Sequence, residues 1–367
     1  MERTTSRYLS DENQVSRWVK WWVIAGVVMV FLQIAIGGIT RLTGSGLSIT
    51  RWEIVTGTMP PIGEQAWQEA FELYKATPQY QKINQGMSMS EFKFIYFWEY
   101  FHRLWARLMF FVFVFPYGWF LWRRMLTRRL SRRLLIVVLL AGIEGFFGWI
   151  MVASGLIKRP WVNAYNLTLH LTMGIIIFAW LLWTVFIAYQ PYPAVRQSAK
   201  GWRWAWTLIV LSFVQIALGA MMSGTKAGLL YPSWPDMDGG FWPSVLSDGA
   251  NWTLDSFMHY DSNPFVPTLI QFLHRNMAYL LTLLIGWFVW QHWQHSASNT
   301  RMRRSYWMML GALTLQIVLG ILTLINCRGT IPVDLGVAHQ AGAVLLLSTV
   351  LYTAYQWSGV QLRAHRA

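Results

Sequence analysis

Eight stretches of this chain are too long and too apolar to be left in water. They run roughly over residues 18–40, 94–122, 134–156, 164–190, 202–223, 266–293, 306–326 and 333–358. Each can cross a hydrocarbon layer about 30 Å thick. Spanning backbone must satisfy its own hydrogen bonds, and these runs are too long and too weakly alternating for barrel strands, so helices are expected. The fold class read from this pattern is an all-α polytopic membrane protein with eight transmembrane helices. Composition agrees: 55% of residues are hydrophobic and 13% are charged, against about 25% charged in ordinary globular domains.

The net charge of +14 invites a nucleic-acid reading, but its distribution does not. Arg123, Arg124, Arg128, Arg129, Arg132 and Arg133 fall between the second and third runs. Arg196, Lys200 and Arg203 fall between the fourth and fifth, and Arg301, Arg303 and Arg304 between the sixth and seventh. Cationic short connections mark the cytoplasmic side, so both termini are expected to be cytoplasmic. Asp11 and Glu12 precede the first run, which fits neither a cleavable signal nor a transit peptide. The single cysteine, Cys327, excludes an internal disulfide and any multi-thiolate metal site.

Two long connections lie on the opposite side. The first, from about Leu42 to Ser90, includes Glu53, Glu64, Glu69 and Glu72, and its Glu64–Lys75 stretch has helical character. The second, from about Gly224 to Asn263, is rich in Pro, Gly, Trp and Asp. Connections of this length are either functional or a cap over the helices.

The chain repeats itself. Odd-numbered runs carry an amide or acid four residues before a glycine: Gln33 and Gly37, Glu144 and Gly148, Gln215 and Gly219, Gln316 and Gly320. Even-numbered runs each carry one histidine near the outer end: His102, His170, His274 and His339. His102 and His274 are 172 residues apart, as are Glu144 and Gln316, while His170 and His339 are 169 apart. Runs one to four thus recur as five to eight, about an axis along the membrane normal. Two pseudo-twofold-related four-helix bundles are expected, residues 1–190 and 191–367. The glycines would let helices or a flat ligand approach closely, and Gln33, Gln215 and Gln316 would hydrogen-bond between helices.

Two histidines facing each other across each bundle suit the axial ligands of a planar macrocycle. Zinc would want more ligands per site, and copper further His, Met or Cys. His259, His292, His295 and His365 sit in loops, at helix ends or in the tail, and are read as solvated. Arg103 and Arg275 directly follow two of the histidines and suit a macrocycle's propionates, or snorkel to the headgroups. Glu99, three residues before His102, has Gln271 as its counterpart. A carboxylate can move protons or stabilise positive charge, and a glutamine cannot do the first. Chemistry is therefore expected in the first bundle and an electron-transfer or spectator haem in the second. The plain alternative pairs Glu99 with Arg103 as an ion pair. Glu144 is a weaker candidate for a proton relay.

Several stretches together resemble the haem A synthase family, in its cysteine-free subgroup. They are Gly37-Gly38-Ile39-Thr40-Arg41-Leu42-Thr43-Gly44-Ser45-Gly46-Leu47-Ser48, Met59-Pro60-Pro61, Glu91-Phe92-Lys93-Phe94-Ile95, Glu99-Tyr100-Phe101-His102-Arg103, Tyr231-Pro232-Ser233-Trp234-Pro235-Asp236-Met237-Asp238-Gly239 and His274-Arg275. The resemblance implies a membrane oxidoreductase that oxidises the C8 methyl of haem O to the formyl of haem A for cytochrome oxidase. It implies that His102 and His170 flank the substrate haem, with Glu99 essential, and that His274 and His339 ligate a haem b cofactor. A haem O synthase is the upstream partner it implies. It names no electron donor and leaves the oligomeric state, a homo-oligomer included, open.

Two other functions compete with this one. A di-haem b electron-transfer protein accounts for the four histidines but not for the difference between Glu99 and Gln271. A transporter would use the same repeat, but with broken helices near the midplane.

Overall fold

The structure is a computed structural model and describes residues 15–51, 59–157, 159–190, 199–297 and 299–359. Asp11, Glu12, Glu53, Arg196 and His365, which entered the sequence reading, lie outside the described residues.

Eight helices are long and apolar enough to cross a membrane. They are α1 (Arg17–Leu42), α4 (Met89–Trp122), α5 (Arg128–Ile157), α6 (Ala164–Tyr189), α7 (Ala199–Gly224), α9 (Phe265–His292), α10 (Thr300–Ile325) and α11 (Val333–Trp357). Between them α2 (Glu64–Lys75) and α3 (Pro78–Lys82) lie in the first long connection and α8 (Leu254–Met258) in the second. No strand occurs among the described residues.

Three spans begin about five or six residues earlier than their apolar runs. The α4 helix starts at a capping box: Glu91 N–H donates to Ser88 Oγ at 3.3 Å and Ser88 N–H donates to Glu91 Oε2 at 2.8 Å. The α10 helix starts at Asn299, whose side chain accepts from the Arg301 and Met302 N–H groups at 3.1 and 3.2 Å. The α5 helix takes Arg128, Arg129, Arg132 and Arg133 into its first turns. Arg133 turns inward, donating to Thr184 Oγ1 at 3.0 Å and lying 4.4 Å from the Trp180 ring centroid. These arginines are thus helix-borne and not in a connection.

The packing is the same in both halves. In the first, α1 packs on α4 and α6, and α5 on α6; in the second, α7 packs on α9 and α11, and α10 on α11. The pairs α4–α5 and α9–α10 touch only sparsely. Between the halves, α6 meets α7 as α11 meets α1, and α6 also meets α11. That exchange pattern is consistent with a pseudo-twofold relation. One apolar core nevertheless runs through both halves, from Ile34, Ile175 and Phe178 to Leu208, Phe288, Tyr306 and Leu347. Phe111, Phe115, Trp119 and Trp122 of α4 face outward, as lipid-facing side chains do.

The long connections cap one end, and the arginine-rich turns mark the other. In the first connection Phe71 and Tyr74 pack on Phe92 and Ile95 of α4. Tyr74 OH donates to Gln79 Oε1 at 3.0 Å, and Gln79 Nε2 donates to the Gly44 carbonyl at 2.9 Å, tying α2 and α3 to the end of α1. Burial pushes the Tyr74 phenol up to about 12, so it remains a donor at physiological pH.

Candidate functional site

The four histidines lie on α4, α6, α9 and α11 toward the loop-bearing end, and each meets the amide or acid of a neighbouring odd-numbered span. Gln33 Nε2 is 3.0 Å from His102 Nε2, Gln215 Nε2 is 3.4 Å from His274 Nε2, and Gln316 Nε2 is 3.4 Å from His339 Nε2. Gln33 and Gln215 also donate to the backbone carbonyls of His102 and His274, at 3.2 and 3.1 Å. Glu144 Oε1 is 3.1 Å from His170 Nδ1. The interhelical role expected of the three glutamines is what they perform, with the histidines as partners.

The glycines one turn further on complete the arrangement. A Cβ on Gly37, Gly148, Gly219 or Gly320 would meet the facing imidazole at 3.1, 3.0, 3.1 and 2.8 Å respectively. Only glycine lets the odd-numbered spans come this close to the rings. The recurrent acid-or-amide and glycine pattern is therefore a seat for an imidazole.

Within the second half the His274 and His339 ring centroids are 6.4 Å apart, with the planes at 81°. Two imidazoles on opposite sides of one metal, each bond about 2 Å, hold their centroids roughly 6 Å apart. The Nδ1 atoms of His274 and His339 are buried with no hydrogen-bond partner. Each ring thus has one nitrogen beside an amide and one left over; a metal-ligating histidine donates its second N–H, a proton that the unpartnered amide oxygens Gln215 Oε1 and Gln316 Oε1 would accept. Among the described residues no group of three or more His, Cys, Asp or Glu could hold a metal ion. Two-ligand sites completed by a macrocycle fit this inventory, and a bare zinc or copper centre does not.

Glu99 and Arg103 form a second pattern, also used twice. Glu99 is 2% exposed, and its Oε1 is 2.5 Å from Arg103 Nη2. Its Oε2 accepts from Ser48 Oγ at 2.7 Å and from the Ile49 N–H at 2.8 Å. Arg103 Nη2 also donates to the Ile49 carbonyl at 3.4 Å. In the second half Gln271 Nε2 donates to the Tyr231 carbonyl at 2.8 Å. Arg275 donates from Nη1 to the Asp236 carbonyl at 2.6 Å and from Nη2 to the Tyr231 carbonyl at 2.8 Å. In each half two side chains one turn apart clamp the long connection over the histidines. The first connection offers an O–H and an N–H, which need an acceptor; the second offers carbonyls, which need donors. The ion pair between Glu99 and Arg103 is therefore present, and both arginines hold protein atoms.

The clamp partners Ser48, Ile49, Tyr231 and Asp236 were not singled out from sequence, although they lie in or beside two of the quoted motifs. The same holds for the contact between the halves in which Arg41, at the end of α1, donates to the Ser223 and Gly224 carbonyls at 2.8 and 3.3 Å. One reading is corrected. His292 is not solvated: it is 5% exposed, with Nδ1 2.9 Å from the Phe288 carbonyl and its ring 5.0 Å from that of Trp357. His259 is solvent-facing and lies 2.9 Å from Asp255. The spans run as unbroken helices over their described residues, unlike the broken helices a transporter would show.

Known proteins match this chain over most of its length. The family described as "Cytochrome oxidase assembly protein" matches residues 20–351. A protein named "Heme A synthase" from Bradyrhizobium sp. (strain ORS 278) is 37% identical over 357 residues, 97% of this chain and 94% of that protein. One of the same name from Bradyrhizobium diazoefficiens is 40% identical, covering 93% of this chain and 91% of its own length. Another from Rhodospirillum centenum is 39% identical, covering 91% and 87%.

Proposed function

The chain belongs to the cytochrome oxidase assembly protein family, and on that premise we propose that it is a haem A synthase, oxidising the C8 methyl of haem O to a formyl group. The observation that carries this is the repeated imidazole seat, with His274 and His339 at a spacing that suits a haem. The overall change is a four-electron oxidation of the methyl group to a formyl group, in two successive oxidations that give an alcohol and then a hydrated aldehyde, which loses water.

On this reading residues 1–190 form the substrate half and 191–367 the cofactor half. His274 and His339 would ligate a haem b, which supplies one-electron transfer when bound. His102 and His170 flank the haem O substrate. Arg103 and Arg275, already fixed to the long connections, present their charge at the end of each half where propionates are expected. Glu99 has two tasks. It holds the Ser48–Ile49 turn, and it supplies a buried carboxylate that stabilises positive charge on the substrate or takes up a proton. The arginine-rich end faces the cytoplasm, placing both termini there, and the membrane is the bacterial inner membrane. A haem O synthase supplies the substrate.

The test is to purify the chain from membranes, extract its haems and separate them chromatographically. Haem b together with haem O, haem A or a hydroxylated form is expected. Two equivalents of haem b and nothing else would support the electron-transfer alternative, which leaves the carboxylate of Glu99 without a chemical task.

A further inference from the structure

The four imidazole seats share one plan, and His170 departs from it both in the partner it faces and in facing it through Nδ1, where the other three use Nε2. Three histidines are partnered by a neutral amide and one, His170, by a carboxylate. This difference is separate from that between Glu99 and Gln271. Its closest counterpart is the seat of His339 in the second half.

The local geometry shows how the acid is placed. Glu144 Oε1 lies over Gly174, one turn beyond His170, where a Cβ would meet it at 3.1 Å. Gln316 Oε1 lies in the same way over Gly342, where a Cβ would meet it at 2.4 Å. The same groove thus carries an acid in one half and an amide in the other. Glu144 Oε1 is 3.1 Å from His170 Nδ1, close enough to share a proton with the ring but off the axis of a ring N–H. Glu144 Oε2 is buried and has no hydrogen-bond partner. Among the described residues, His170 is the polar partner that the structure sets beside this carboxylate.

We propose that Glu144 is a positioning residue that makes His170 the strongest electron donor of the four imidazoles, so that iron held between His102 and His170 has a lower reduction potential than iron held between His274 and His339. This rests on the proposed function. An imidazole whose other nitrogen faces a carboxylate is a more basic ligand than one facing an amide, and it favours the more oxidised metal. The structure supplies one such ligand, and it lies in the half that carries Glu99. The ordering sets the equilibrium direction of an electron between the two halves, from the first to the second.

The test is a spectroelectrochemical titration of the purified full chain with the haems it retains, comparing wild type with Glu144→Gln, Glu144→Asp, Gln316→Glu and His170→Ala. Two potential steps are expected in the wild type. Glu144→Gln should raise the lower step and leave the upper unmoved, and Glu144→Asp should restore it in part. Gln316→Glu should lower the upper step. If His170→Ala abolishes the lower step while Glu144→Gln shifts neither, the inference is overturned and the haem reading stands. If His170→Ala leaves both steps intact, His170 is no ligand and the site reading itself fails. Should Glu144→Gln retain no haem in the first half, Gln316→Glu decides: a lowered upper step supports the inference, and an unchanged one overturns it.

Discussion

Glu99 and Arg103 meet at 2.5 Å, one helical turn apart on α4, and together hold the backbone of Ile49. Gln271 and Arg275 hold the Tyr231–Asp236 stretch from the same place on α9. A buried carboxylate with three partners is a structural element, so the chemical task proposed for it has to be separated from the structural one.

Ser48→Ala and Glu99→Gln separate them. Ser48→Ala removes one hydrogen bond to the carboxylate, worth about 1.5–3 kcal/mol, and leaves the charge in place. Glu99→Gln removes the charge and leaves Arg103 without its buried counter-ion, a local cost on the order of 3 kcal/mol. Conversion of haem O to haem A in whole membranes should persist in Ser48→Ala and be lost in Glu99→Gln. Equal loss in both would make Glu99 a clamp and nothing more.

The second clamp carries no proposed chemistry. Arg275→Ala should free residues 231–240, giving faster hydrogen exchange and proteolysis there, with the first connection unaffected. The two guanidinium bonds to carbonyls are worth about 3–6 kcal/mol together. Unchanged protection over that stretch would show that other contacts hold the connection.

Gly320→Ala and Gly142→Ala form a matched pair. A Cβ at Gly320 would sit 2.8 Å from His339 Cε1, whereas one at Gly142 meets nothing within 4 Å. The first should lower the haem bound per protein by displacing the ring. The second should leave haem content unchanged, and helix propensity favours it by up to about 1 kcal/mol. Equal haem content in both variants would mean the imidazole seat does not set the ring position.

Arg41 gives a prediction about assembly. Its bonds to Ser223 and Gly224 satisfy carbonyls at the end of α7 from the end of α1. Arg41→Ala should therefore lower the thermal stability of the whole detergent-solubilised protein by about 2 kcal/mol, in a single transition because the core is shared. Two separated transitions would show that the halves melt independently.

The spans were legible because an apolar run of membrane length has few alternatives. Their starts were not, where Ser88, Asn299 and the arginines of α5 continue the helix in polar residues that hydropathy cannot follow. The imidazole seats were legible as spacing, since residues four apart share a helix face. The clamps were half legible: Glu99 and Arg103 show in the sequence, but Ser48 and Ile49 reach them from about fifty residues away. His292 was misread because Trp357, which covers it, comes from the far end of the chain.

The most direct test of the account is the fate of haem O in membranes carrying Glu99→Gln beside wild type, with haem extracted and separated from each. The account predicts haem A in the wild type, and haem O without haem A in the variant, while haem b stays bound to the purified variant. Haem A formed at the wild-type level by Glu99→Gln would contradict it.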